Sequence, residues 1–205
     1  MIRNVVFDVG GVLLHLRYQP FVRYLTEAGV GLDDLPAWLR EIDLDAHERG
    51  EMTGRELLAR LAASTPRPLD PGELEARWLD MFERWDEMVD LAEGLMADYR
   101  VYLLSNVGDL HWRHLGDRYG IDRIGHGAIA SFLVGATKPS AAIYREAERR
   151  FALEPAATVF IDDLERNVVG ARACGWHAIR HADAATTRRA LRELGVRGPA
   201  SGAED

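Results

Sequence analysis

The stretch that decides the fold is Asn4-Val5-Val6-Phe7-Asp8-Val9-Gly10-Gly11-Val12-Leu13. Val5, Val6 and Phe7 form a β-branched and aromatic run, which favours a buried strand. The run stops at a carboxylate, Asp8, and the Gly10-Gly11 pair follows, the mark of a tight turn after a strand.

Outward from this stretch the pattern repeats. Residues 100–104 are largely apolar and end at Ser105-Asn106. Residues 158–161 are apolar and end at Asp162-Asp163. Shorter strand signals lie at 128–130 and 176–180. Between them, helices are expected at about 109–118, from a Ser140 cap to 151, from after Asp163 to about 174, and at 184–194. Strands alternating with helices imply an α/β fold, a Rossmann-like doubly wound parallel sheet. Ligands in such sheets bind outside the carboxyl ends of the strands. That rule brings Asp8, Ser105-Asn106 and Asp162-Asp163, distant in sequence, to one edge.

Residues 19–93 read differently. Helices are expected at 21–28, 32–44, 53–63 and 71–89, with no strand among them. Thr53 and Glu56 have the spacing of a capping box, and the Ser64 to Pro68 stretch is a breaker. The expected organisation is therefore a core of 1–18 plus 94–198, an inserted helical cap at 19–93, and a small, polar, mobile tail at 199–205.

The chain has 205 residues, 47% of them apolar, enough to bury a substantial core in one domain with an insert. A net charge of −8 speaks against a nucleic-acid-binding surface. A small phosphorylated ligand needs only a few local cations. The single cysteine, Cys174, excludes an intrachain disulfide and reads as a small core residue. The N-terminus lacks the pattern of a signal peptide, and no apolar run approaches the roughly 20 residues of a membrane helix. A cytoplasmic protein without membrane association is expected, as either monomer or homodimer.

Taken singly, the polar residues have ordinary readings. Asp8 caps a turn, Ser105-Asn106 is a loop, and Lys138 before Pro139 is a solvated lysine. Asp162-Asp163 is sharper, because two adjacent carboxylates at a strand end repel unless a cation sits there. In this order, Phe7-Asp8-Val9-Gly10-Gly11-Val12-Leu13, Leu104-Ser105-Asn106, Lys138-Pro139 and Phe160-Ile161-Asp162-Asp163 with Asn167 resemble the four motifs of the haloacid dehalogenase (HAD) superfamily. The resemblance runs from residue 4 to about 181, and the helical block resembles the cap of one large branch.

The resemblance implies a phosphatase. Asp8 would attack phosphorus and become an aspartyl phosphate. Mg²⁺ would be held by Asp8, the Gly10 carbonyl, Asp162 and Asp163, and Asn167 would orient that acidic loop. Ser105 would bind a phosphoryl oxygen, Asn106 would steady its loop or touch substrate, and Lys138 would neutralise charge. The substrate would be a small phosphorylated metabolite.

One position departs from the family pattern. The phosphatases usually carry a second Asp two residues after the first, which protonates the leaving group; here it is Gly10. General acid–base help typically contributes about 10²–10⁴-fold, or roughly 3–5 kcal/mol of barrier. Gly at this position resembles a sub-branch of small sugar-phosphate phosphatases, consistent with a sugar 1-phosphate. His15 and His47 are candidate replacement acids. The same gap motivates two alternatives, a 2-haloacid dehalogenase and a catalytically weakened HAD-like binding protein. Substrate choice is expected on the polar segment at 46–52, with His47 and Arg49 as binding residues. Trp38, Trp78, Phe82 and Trp85 enrich the cap in aromatics. The last three fall at helical spacing and are expected to form cap core.

Overall fold

The computed structural model describes residues 1–31 and 40–198. Five parallel strands build the main sheet in the order β5-β4-β1-β6-β7. They are β1 (Asn4–Phe7), β4 (Arg100–Ser105), β5 (Ala128–Ala130), β6 (Thr158–Asp162) and β7 (His177–Arg180). Each was expected from its apolar run. Alternate side chains enter two apolar cores. Val5, Phe7, Val101 and Ile161 face Met88, Leu91 and Leu95, whereas Val6, Leu104 and Phe160 face Ile143, Tyr144 and Val168. Helices on both faces explain why the strands read as continuous apolar runs.

Register fixes the site. Phe7 pairs with Leu103 on one side and Ile161 on the other. Asp8 therefore leaves β1 level with Leu104 and Asp162, with Ser105 one residue further on. The strand order reverses direction here, so β1 has later strands on both sides, the place where doubly wound sheets open a ligand crevice.

The helical block differs from expectation in three ways. The expected helix over 71–89 is a helix at Pro71–Leu79, a strand β3 at Phe82–Arg84 and a second helix at Asp86–Leu95. β3 pairs antiparallel with an unexpected β2 (Leu14–Leu16), Leu14 opposite Arg84. The apparent helical period of Trp78, Phe82 and Trp85 therefore spans three elements. Trp78 is buried in the helical block, while Phe82 and Trp85 pack on the sheet core. Met88, Leu91 and Leu95 also join the sheet core, so the separately packed block ends before Phe82 rather than at 93.

The expected helix over 32–44 lies mostly outside the described residues, as do Trp38 and the tail from 199. Its end resolves differently: Asp43, at φ 62°, precedes a short helix at Leu44–Glu48 that the sequence presented as loop. Elsewhere the block follows its signals. Helices form at Gln19–Glu27 and at Gly54–Ala63 behind the Thr53–Glu56 capping box. Phe21, Leu25, Leu57, Leu61 and Trp78 form its core, and Leu110 of the helix Asp109–Tyr119 inserts into it. Gly54 is the point of closest approach: a Cβ there would lie 2.4 Å from Leu110 Cγ. The Gly54 N–H donates to the Asp109 carboxylate at 2.8 Å, tying block to core. Cys174 is free and buried. Among the described residues, no helix is long and apolar enough to cross a membrane.

Candidate active site

Asp8 follows the all-buried strand β1, and its own N–H is held by the Ile161 carbonyl at 2.9 Å. Its Oδ1 accepts from the Val9 N–H at 2.7 Å and pairs with Lys138 Nζ at 2.7 Å. The turn after it is pinned by the Val9 carbonyl, which accepts from Leu13 and Leu14 N–H at 2.9 Å each. Gly11 requires glycine on two grounds. Its φ is +80°, and a Cβ would lie 2.6 Å from the Asp163 carboxylate. At Gly10 a Cβ would meet only Leu16, at 3.5 Å. The chain fills the space beyond residue 10 with an apolar side chain rather than a proton donor.

Asp162 ends β6 fully buried and is the most heavily bonded group of the site. Its Oδ1 accepts from Leu164 N–H at 2.9 Å, and Asn167 Nδ2 reaches both carboxylate oxygens at 3.0 Å. Lys138 Nζ lies 2.8 Å from Oδ2. Lys138 thus bridges two carboxylates from within the protein. Burial pulls its ammonium down, but Asp8 and Asp162 together hold it above the usual lysine range. Burial holds Asp8 above the ordinary carboxylate range; Lys138 opposes that shift, and the charges of Asp162 and Asp163 reinforce it. Asp163 is likewise raised by burial and then by Asp162.

Oxygen atoms of Asp8, Asp162 and Asp163 lie within 4.8 Å of one another. Three carboxylates converge here on one buried ammonium, with Arg166 the further cation that acts on Asp163, so the cluster has room in charge for a bound cation. An all-oxygen donor set of carboxylates suits a hard divalent ion such as Mg²⁺.

The remaining expected residues divide. Ser105 is buried and lines the same cavity as Asp8 and Lys138. Asn106 also lines it, but both ends of its amide are engaged. Nδ2 donates to the Lys138 carbonyl at 3.0 Å, and Oδ1 accepts from the Lys138 N–H at 2.8 Å. Of the two roles expected of Asn106, this geometry serves loop support. Arg49 does not reach the cavity, because its guanidinium forks onto Glu51 at 2.8 and 3.0 Å. His15 stacks on Trp85 at 4.0 Å and is absent from the cavity wall. His47 is in the wall, deeply buried. Its Nδ1 bonds the Met52 carbonyl at 3.0 Å, and its Nε2 fills the space that a side chain at Gly108 would take.

Two further charged residues line the cavity: Glu48, which lies in the polar segment 46–52 but was not singled out within it, and Arg166, which went unread. Both sit beside residues that were singled out, next to His47 and Asn167. For Arg166 the signal present was adjacency alone; for Glu48 it was membership of that segment. The cavity holds about 390 Å³. Beyond its charged floor the wall is apolar, with Leu16, Phe21, Leu25, Trp78, Met81 and Phe82 prominent.

An acidic pocket at the switch point of a doubly wound parallel sheet, with a buried lysine between two strand-end aspartates, marks a hydrolase of α/β fold. The chain belongs to the haloacid dehalogenase-like hydrolases, whose family model matches residues 2–175. It is similar to a D-ribitol-5-phosphate phosphatase of Bacteroides thetaiotaomicron, 26% identical over 200 residues, covering 93% of this chain and 97% of that protein. It is equally similar to the sesquiterpene phosphatase astK of Aspergillus oryzae, 26% identical over 194 residues, with 94% and 96% covered. Among solved structures it resembles the HAD family enzyme bt-2542 of B. thetaiotaomicron in complex with magnesium and inorganic phosphate. The TM-score there is 0.79 at 24% identity, with 89% and 95% covered.

Proposed function

We propose that this hydrolase is a Mg²⁺-dependent phosphatase that releases phosphate from a small phosphorylated metabolite through an aspartyl phosphate on Asp8. The observation that carries the reading is the cluster of Asp8, Asp162 and Asp163, with oxygens within 4.8 Å and Lys138 spanning two of the three. Asp8, Asp162, Asp163 and the Gly10 carbonyl would hold Mg²⁺. When bound, the ion offsets the repulsion between an anionic nucleophile and an anionic ester.

The protein's own groups supply the rest. Asp8 Oδ1 is occupied by Val9 and Lys138, which leaves Oδ2 as the attacking oxygen. Lys138 stabilises charge at the phosphoryl group from a fixed position, because Asn106 clamps its backbone at both N–H and carbonyl. Ser105 donates to a phosphoryl oxygen. Asn167 orients Asp162, and is itself fixed where the Tyr144 hydroxyl donates to its carbonyl at 2.8 Å. Residues from 19 to about 81 act as the cap that closes the cavity against water.

Relatives of both polar and apolar phosphate chemistry are compatible with this floor. A sugar phosphate is one reading. The apolar wall of Leu16, Phe21, Leu25, Met81 and Phe82 favours a second, the phosphate monoester of an apolar alcohol. A 2-haloacid dehalogenase would leave the three-carboxylate cluster without a purpose, since carbon–halogen displacement needs no metal.

A screen of phosphate monoesters with Mg²⁺, spanning sugar 1-phosphates, alditol phosphates and prenyl phosphates, tests the reading. Phosphate release that EDTA stops and Asp8→Asn removes is the expected result. Halide release from 2-chloropropionate that ignores EDTA would replace it with the dehalogenase reading.

A further inference from the structure

Gly10 leaves the phosphoryl transfer without the proton donor that its neighbours in the motif lead one to expect. The cavity wall contains three carboxylates, Asp8, Asp163 and Glu48, among the described residues. The first two belong to the acidic cluster. Glu48 lies outside that cluster, at the end of the helix Leu44–Glu48.

Its backbone is fixed to the core. The Glu48 carbonyl accepts from Ser131 Oγ at 2.6 Å, and the same oxygen of Ser131 accepts from the Val107 N–H at 2.9 Å, two residues after Ser105. Gly50 presses the following turn onto the core. Its φ is +73°, and a Cβ there would lie 2.3 Å from the Phe132 carbonyl oxygen. The helix Leu44–Glu48 also packs against the helix Ser131–Val134. Glu48 is thereby held at a fixed place relative to the floor, and it lines the cavity together with Asp8, Ser105 and Lys138.

We propose that Glu48 is the general acid and base of this reaction, acting from the cap in the role that Gly10 cannot fill; the proposal rests on the phosphatase reading of the site. In the first step Asp8 Oδ2 bonds to phosphorus as the phosphorus–alkoxide bond breaks. The Glu48 carboxyl proton passes to the departing oxygen, giving the neutral alcohol and a Glu48 carboxylate. In the second step that carboxylate takes a proton from water as the water oxygen bonds to phosphorus. The phosphorus–Asp8 bond breaks, which restores both side chains and yields inorganic phosphate.

The surroundings of Glu48 suit both halves of the cycle. Burial and then Asp45 on its own helix favour the protonated form, while Lys138 and Arg166 across the cavity oppose them. The balance places the carboxyl at about 7. A group poised near the working pH can give and regain a proton at similar cost. The histidines of the wall are less suited. Burial pushes His111 down to about 4, and its Nε2 is already bonded to the Trp78 carbonyl at 2.8 Å. His47 Nε2 is packed against Gly108.

The test compares esters that differ in their need for a proton. kcat/KM is measured with Mg²⁺ for the full chain and for E48Q, on p-nitrophenyl phosphate and n-hexyl phosphate. For the hexyl ester, E48Q should lose about 10²-fold or more. For the aryl ester, whose leaving group departs as a stable anion, the loss should stay below about 10-fold. The acid must be protonated to act, so parent kcat/KM on the hexyl ester should fall as pH rises through about 7, and that limb should vanish in E48Q. Equal losses on the two esters, or an unchanged hexyl rate, would overturn the role of Glu48. So would a parent that cleaves the aryl ester and no alkyl ester. A parent that cleaves neither would instead overturn the phosphatase reading.

Discussion

The floor and the roof of the cavity are built on opposite principles. The floor consists of strand ends, and its polar side chains are tied by short bonds: Asp162 to Leu164, Asn167 and Lys138, and Lys138 to Asp8. The roof consists mainly of helices with the strands β2 and β3, and its wall is apolar; His47 Nε2 and Trp78 Nε1 there have no partner among the described residues, as is also true of Asn167 Oδ1 in the floor. A densely bonded floor can hold reacting groups within fractions of an ångström, which phosphoryl transfer requires. An apolar roof can be exchanged for another without disturbing them. On the proposed reading the nucleophile and the metal-holding carboxylates belong to the floor, while the roof shapes substrate choice and contributes Glu48.

Four substitutions test that division, from the largest effect to the smallest. Asp8→Asn removes the proposed nucleophile and should lower phosphate release by roughly 10⁴-fold or more. Release within 10-fold of the parent on any ester would mean that the floor does not carry the chemistry. Lys138→Ala leaves Asp8 and Asp162 buried without their cation. It should destabilise the fold by about 3–5 kcal/mol in urea unfolding and abolish turnover, with part of the stability regained on adding Mg²⁺.

Leu25→Ala, at a fully buried roof position, should cost about 2–5 kcal/mol. It should nevertheless leave turnover of p-nitrophenyl phosphate near the parent value at a temperature where the variant is folded. Lost turnover under those conditions would erase the distinction between floor and roof. Leu16→Ser is the mildest. Leu16 is 46% exposed yet lines the cavity, so stability should move by about 0.5 kcal/mol. KM for a prenyl phosphate should rise several-fold while KM for ribitol 5-phosphate stays flat. The reverse pattern would favour the polar-substrate reading.

How much could be read in advance also follows the line between floor and roof. Buried parallel strands must be apolar along their length, so each core strand announced itself, and Asp8, Ser105 and Asp162 stood out as polar residues ending apolar runs. In the roof the pattern misled. Trp78, Phe82 and Trp85 have helical spacing but belong to a helix, a strand and a helix cap. β3 forms because β2 is there to pair with it, a contact spanning about 70 residues that no local period reports. His47 and Arg49 were the more conspicuous residues of the polar segment, yet the one facing the cavity beside His47 is Glu48, because the helix Leu44–Glu48 turns Arg49 toward Glu51.

By itself the sequence determined the doubly wound sheet, the order of its strands' polar ends and the residue types of an acidic floor, while phosphoryl chemistry entered only as what the resemblance of its motifs implies. Those features follow from burial and alternation, which are local in the chain. Tertiary structure decided what local pattern cannot: that Lys138 bridges Asp8 and Asp162, that Asn106 serves the Lys138 backbone, and that Glu48 lines the same cavity as Asp8 and Gly10. Each of these depends on segments brought together by packing, and their separation along the chain hides them until the fold is formed.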